Sequence, residues 1–185
     1  YAMLLTITYL IFSQLAVGGL ISILLVPPAA GRDFFRFCGF TTLVMLALAL
    51  LVLPTPNPFL SLFFLLLTLA WVVNLGFVVS VIIERSSWQK PLLASSGLAG
   101  SLGIVLDGIH RVPADFPAWA SLLTALHFLL SSLFLGSVVF AMILGHYYLT
   151  VPTLAIRPLR SMSLLMVVTM IAKVLLLGIP FFLFW

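Results

Sequence analysis

Six long apolar stretches, with nearly every charged residue confined to the short gaps between them, limit this 185-residue chain to folds whose solvent is lipid. In hydrocarbon every backbone N–H and C=O must find its partner within the protein, and a helix achieves this inside a single segment. Composition agrees: 64% of residues are hydrophobic and 6% charged, whereas an ordinary soluble domain carries about a quarter charged residues. The expected fold is an all-α integral membrane protein, a six-transmembrane-helix bundle with short loops forming one domain over 1–185. No soluble catalytic or binding domain fits beside six spans.

Crossing the hydrocarbon takes about 20 apolar residues at ~1.5 Å each. The expected spans are 2–26, stopped by Pro27-Pro28; 37–53, stopped by the turn Pro54-Thr55-Pro56-Asn57-Pro58; and 59–83. A polar loop over 84–90 then leads to 91–110, opened by Pro91. The fifth span is 116–148, with Pro117 in its first turn, where a missing N–H is harmless. The sixth is 161–185, after a loop from Val151 to Ser161 that holds Pro152 and Pro158. The second span is short and should stand nearly upright; the fifth exceeds the bilayer core and should tilt or protrude. The first is long for a signal sequence and lacks a basic leader, so it reads as a retained helix.

Lys and Arg are distributed unevenly. The gaps after spans one, three and five hold Arg32, Arg36, Arg85, Lys90, Arg157 and Arg160, while those after spans two and four hold Arg111 alone. Positive residues gather on the cytoplasmic side. Both termini are therefore expected on the outer side and the basic loops in the cytoplasm, most simply in a bacterial inner membrane. Trp88, Trp119, Tyr147, Tyr148 and Trp185 fall near expected interfaces, where amphipathic rings settle. The net charge of +4 is explained by these loops and by anionic headgroups among the surrounding membrane lipids, so no nucleic-acid partner is expected. The single cysteine, Cys38, excludes a disulfide framework, a CxxCH haem attachment and a thiolate iron–sulfur site within the chain, and reads as a packing residue.

Polar side chains inside the spans are the functional candidates. By residue count Gln14, Asn74, His127 and Lys173 share the middle depth. Lys173 is the most demanding, since a Lys at a helix centre costs roughly 2.5–3.5 kcal/mol on insertion scales. At that depth the chain offers no carboxylate, so Asn74, Gln14, His127 and nearby hydroxyls are its expected intrachain partners. Lys173 shares a face with Thr169, Met166 and Met170, and His127 shares one with Thr124 and Ser131. Two structural readings compete with a functional cluster: interhelical hydrogen bonds that fix packing, and a Lys173 paired with a carboxylate of another subunit.

Three other places carry chemistry. The fourth span is rich in small residues over 94–103, with Ser96/Gly100 and Ala99/Gly103 four apart; this suits either close helix packing or a flat ring laid against the helix. Its outer end brings Asp107, His110 and Arg111 together, a candidate proton or quinone-head site, or alternatively an interfacial salt bridge. The metal pattern is too poor to expect a metal. At the inner end of the fifth span, His146 precedes Tyr147 and Tyr148, and reads as a helix cap or a contact to a cofactor of a neighbouring chain. A haem or pigment ligand would be His127 or His146. The two lie 19 residues apart on one helix, about 28 Å of rise, so they cannot serve one haem.

The six-helix layout with short loops and scattered histidines is broadly similar to the membrane anchors of respiratory and other energy-converting complexes, in architecture only; the resemblance transfers no residues. The expected function is an integral-membrane subunit of a multi-subunit electron-transfer or energy-converting complex. It would serve as an anchor among other membrane and redox subunits and contact quinone, haem b or pigment. The alternative is a small transporter or channel built on the midplane polar level. Without HExxH, GxSxG or paired membrane aspartates, the chain is not expected to be catalytic on its own.

Overall fold

The computed structural model describes residues 2–53, 61–150 and 156–184. Six helices follow in order: α1 (Ala2–Leu24), α2 (Arg32–Val52), α3 (Leu62–Ile82), α4 (Ser86–His110), α5 (Ala118–Thr150) and α6 (Arg157–Phe184), with a 3₁₀ turn at Pro28–Ala30 between α1 and α2. All six are long and apolar enough to cross a membrane. Their outward surfaces agree, because large aliphatic side chains such as Leu51, Leu98, Leu122, Val174 and Leu175 are exposed along the helices. In water this would be an aggregating surface; against acyl chains it carries no penalty.

Helix ends differ from the expected spans where a polar first turn precedes the apolar run. α2 starts at Arg32 rather than Phe37, with exposed Arg32 and Asp33 in its first turn and the Asp33 carboxylate favourably placed near the helix N-terminus. α4 starts at Ser86, so the expected polar loop over 84–90 is mostly helix and Pro91 lies inside it. The ring of Pro91 removes one bond to the carbonyl of Ser87, which is exposed and can be solvated. α6 starts at Arg157, with Pro158 in the tolerated second position, and runs unbroken through Gly178-Ile179-Pro180. The expected proline turn at 54–58, residues 151–155 of the expected loop over 151–161, and Trp185 lie outside the described residues.

α1 to α4 form a ring in which each helix packs on the next and α1 closes on α4. α5 lies across α1 and α4, and α6 packs extensively on α5 alone. The helices alternate in direction, so all six basic gap residues reach one end, called here the basic end, and Asp107 the other. The α1–α5 crossing is the closest. A Cβ on Gly18 would stand 1.8 Å from the Ser132 carbonyl oxygen, and one on Gly136 would stand 2.0 Å from the Gly18 carbonyl carbon. Glycine at both positions lets the two backbones touch.

The core has two parts. Near the basic end, Leu20, Ile23, Phe34, Cys38, Phe77, Phe140 and Met162 pack together; nearer the other end, Tyr9, Val17, Leu46, Leu67 and Ile104 do so. Cys38 is free and buried among apolar neighbours. At the basic end Gly31 takes φ +88°, a conformation only glycine adopts freely, and links the 3₁₀ turn to α2 beneath the Tyr147 hydroxyl.

Candidate functional site

The most completely built polar site lies at the Asp107 end. The last turn of α4 carries Asp107 and its C-cap residue is Arg111, four residues on, whose Nε donates to both carboxylate oxygens at 3.1 Å. The salt bridge offered as the alternative reading of this helix end is present, and its carboxylate is buried. The Asp107 side chain is only 5% accessible and that of Arg111 27%, so the carboxylate is inside and the guanidinium forms its lid. α1 completes the site with Tyr9. Its fully buried ring lies under the guanidinium, 5.5 Å from centroid to Cζ, and its phenol faces Asp107 and Arg111. The Tyr9 hydroxyl closes no hydrogen bond among the described residues. His110 is exposed beside this group, 6.0 Å from the ring of Phe63 on α3. Asp107, His110 and Arg111 thus do come together, and Tyr9 is the member that sequence reasoning missed. The available signal was depth: Tyr9 sits two turns into α1 from the end that α4 reaches with Asp107.

The four residues of the expected midplane level do not form one cluster. Asn74 on α3 is fully buried against α2, and its Nδ2 donates to the Thr42 hydroxyl at 3.1 Å and to the Gly39 carbonyl at 3.4 Å. Gln14 is buried on α1. Lys173 belongs to a separate place, the α5–α6 seam, where its Nζ donates to the Ser131 hydroxyl at 2.8 Å and lies 5.9 Å from the Phe134 ring centroid. His127 faces the same seam within reach of the Lys173 charge, and lines a groove of about 180 Å³ with Thr124, Leu123, Leu176 and Leu177. The hydroxyls of Thr124 and Thr169 are bonded to carbonyls of their own helices at 2.9 and 2.8 Å. They are thereby spent locally.

The small face of α4 is filled by neighbouring helices. A Cβ at Gly100 would meet Val17 at 2.7 Å, one at Gly103 would meet Leu67 at 3.1 Å, and one at Gly108 would meet the Ala125 backbone at 2.9 Å. The Ser96 hydroxyl donates to the Ala70 carbonyl at 2.8 Å. Close helix packing accounts for this face, and the protein itself takes the space a flat ring would need. His146 is exposed, with Nδ1 3.4 Å from the Met142 carbonyl, one turn back within a helix that continues to Thr150. It therefore does not cap the helix end. His127 and His146 are indeed on one continuous helix, 19 residues apart. Among the described residues no three His, Cys, Asp or Glu side chains gather.

These features define the class: an all-helical bundle whose six helices are each able to span a membrane, with a buried Tyr9–Asp107–Arg111 group at one end and a Lys173–Ser131 seam at its edge. The chain matches no protein-family model, no curated protein and no solved structure.

Proposed function

We propose that this chain is an integral-membrane subunit of a multi-subunit electron-transfer or energy-converting complex, seated through α6 against a partner chain. Basic loops would face the cytoplasm of a bacterial cell, with both termini outward.

The observation that carries this reading is the setting of Lys173. Its helix packs extensively on α5 alone, and around Lys173 the outward surface is apolar and exposed: Val167, Val168, Met170, Ile171, Val174 and Leu175. An amine well inside such a helix needs a counter-charge or water. The chain's four acidic residues, Asp33, Glu84, Asp107 and Asp115, all belong to helix ends or gaps, and a single hydroxyl does not neutralise an ammonium. A carboxylate brought by a neighbouring subunit would. The redox part of the proposal rests on His127, the imidazole that opens into a groove on this same seam, where it would contact a haem, pigment or quinone held with the partner. The transporter alternative draws less support, because Asn74 is bonded to Thr42 and Gly39 on α2, not to Lys173.

The test is gentle solubilisation of the native protein, mass analysis of copurifying chains, and a reduced-minus-oxidised absorption spectrum. Stoichiometric partners with a haem or chlorin band are expected. A colourless protein that purifies alone would overturn the proposal and return attention to transport.

A further inference from the structure

The basic end contains two adjoining chambers that the proposed function does not use. The lower is a slot of about 230 Å³ between the ends of α1, α3 and α4. Its walls include Ile23, Phe77 and Leu93, all at most 3% exposed, so it is cut into the core and is not merely a surface groove. Gln89 and Lys90 stand at its rim. The upper, an open depression of about 470 Å³ at the surface, shares Pro28, Phe35 and Gln89 with the slot and carries Arg32 and Glu84. An apolar slot beneath a basic rim, at the level where helices leave the hydrocarbon, has the polarity profile of one molecule of amphiphile.

We infer that this pair of chambers binds one anionic phospholipid, its phosphate beside Lys90 and Gln89 and the start of an acyl chain in the slot walled by Ile23, Phe77 and Leu93. Charge complementarity selects the headgroup. Arg32 is paired with Glu84, whereas Lys90 is exposed and forms no ion pair among the described residues. Arg36, Arg85, Arg157 and Arg160 bring further positive charge to this end of the bundle, and Asp33 and Glu84 are its only acidic residues. Basic pockets between transmembrane helices on one side of the membrane are recurrent sites for anionic headgroups. The depth of the slot selects a lipid over free phosphate, because phosphate alone would leave the apolar walls unused.

The experiment reconstitutes the full chain in vesicles of phosphatidylcholine and phosphatidylglycerol, extracts it in mild detergent, and counts retained lipid per chain by native mass spectrometry. Wild type should keep one phosphatidylglycerol in preference to phosphatidylcholine. Lys90→Gln should lower that occupancy by about fivefold, the effect of removing one interfacial cation worth ~1 kcal/mol. Ala94→Leu fills the slot from its half-buried wall without removing core atoms, and should abolish retention while Lys90→Gln only weakens it. Thermal unfolding of each variant verifies that it is folded. Equal retention of the two lipids by wild type would overturn the site. So would unchanged retention in folded Ala94→Leu, which would reduce the effect to a surface charge patch; displacement of the lipid by inorganic phosphate alone would overturn the role of the slot.

Discussion

Arg111 at the C-cap of α4 lies over the ring of Tyr9 on α1, 5.5 Å from its centroid, while the same guanidinium holds the buried carboxylate of Asp107. One cation therefore ties two helices together, through a ring face on one and a carboxylate on the other. Removing it leaves a charge inside the protein, so the two members of the ion pair should respond unequally to mutation.

Arg111→Ala strands Asp107 and also removes the lid over Tyr9. A loss of roughly 3 kcal/mol is expected, at the lower edge of the range for broken buried pairs because the arginine is partly exposed. Asp107→Asn keeps an acceptor for Arg111, whose positive end can reach solvent, and should cost about 1 kcal/mol. Chemical unfolding of the two variants in one detergent measures both. Equal losses would mean that burial of Asp107 has no energetic consequence.

The α1–α5 crossing makes a sharper steric prediction. Gly18→Ala places a methyl group against the backbone of Ser132, which cannot rotate away as a side chain can, so the helices must separate at a cost of about 3 kcal/mol or more. Gly145→Ala, on the same α5, meets nothing within 4 Å and should instead stabilise by up to ~1 kcal/mol through helix propensity. Thermal unfolding of the two variants should show shifts of opposite sign.

Much of this architecture was legible in the sequence, but along one coordinate only. Counting residues gives depth, because a helix rises by a fixed amount per residue, and the depths of Asp107 and Lys173 follow from their distance to a helix end. Counting gives neither the direction a side chain takes around the helix axis nor the identity of the facing helix. Asn74 and Lys173 therefore read as neighbours in the sequence, whereas α3 turns Asn74 to Thr42 on α2 and α6 turns Lys173 to Ser131 on α5. Tyr9 shares the depth of Asp107 by the same count, but the count does not say that α1 turns its ring toward the end of α4. Helix starts at Arg32, Ser86 and Arg157 were hidden by a different cause: their first turns are polar and project past the apolar run that marks a span.

Glu84 follows the Ile83 cap of α3 with φ +61°, and the Arg85 N–H bonds back to the Ser80 carbonyl, the pattern of a helix terminus that normally carries glycine. Its carboxylate pairs with Arg32, and both partners are largely exposed. A pair of this kind contributes about 0–1 kcal/mol, while a non-glycine residue in the left-handed region costs about 1–2 kcal/mol. Glu84→Gly should therefore be neutral or stabilising by ~1 kcal/mol, whereas Glu84→Gln, which keeps the backbone cost and loses only the charge, should destabilise slightly. Both variants lose the same ion pair, so in thermal unfolding high salt should shrink the Glu84→Gln loss and raise the Glu84→Gly gain by a similar amount, while the difference between the two variants, which is the backbone term, should not change with salt.

Lys173 separates stability from assembly. In the isolated chain its ammonium relies on the Ser131 hydroxyl and the face of Phe134, so Lys173→Met should leave the protein inserted and folded, with stability unchanged or raised by about 1–2 kcal/mol once the desolvated charge is gone. Ser131→Ala alone should cost about 1 kcal/mol because it removes the amine's hydrogen bond. The double variant should behave like Lys173→Met, with a coupling of about 1 kcal/mol between the two sites. If a partner subunit supplies the counter-charge, as proposed, assembly should follow the opposite order: Ser131→Ala retains the partner and its activity, whereas Lys173→Met loses both because the proposed carboxylate would be left in hydrocarbon without its cation. Copurification of the partner with each variant reads this directly. Wild-type assembly and activity in Lys173→Met would remove the functional case for the α5–α6 seam and leave Lys173 as a tolerated charge with a local hydroxyl.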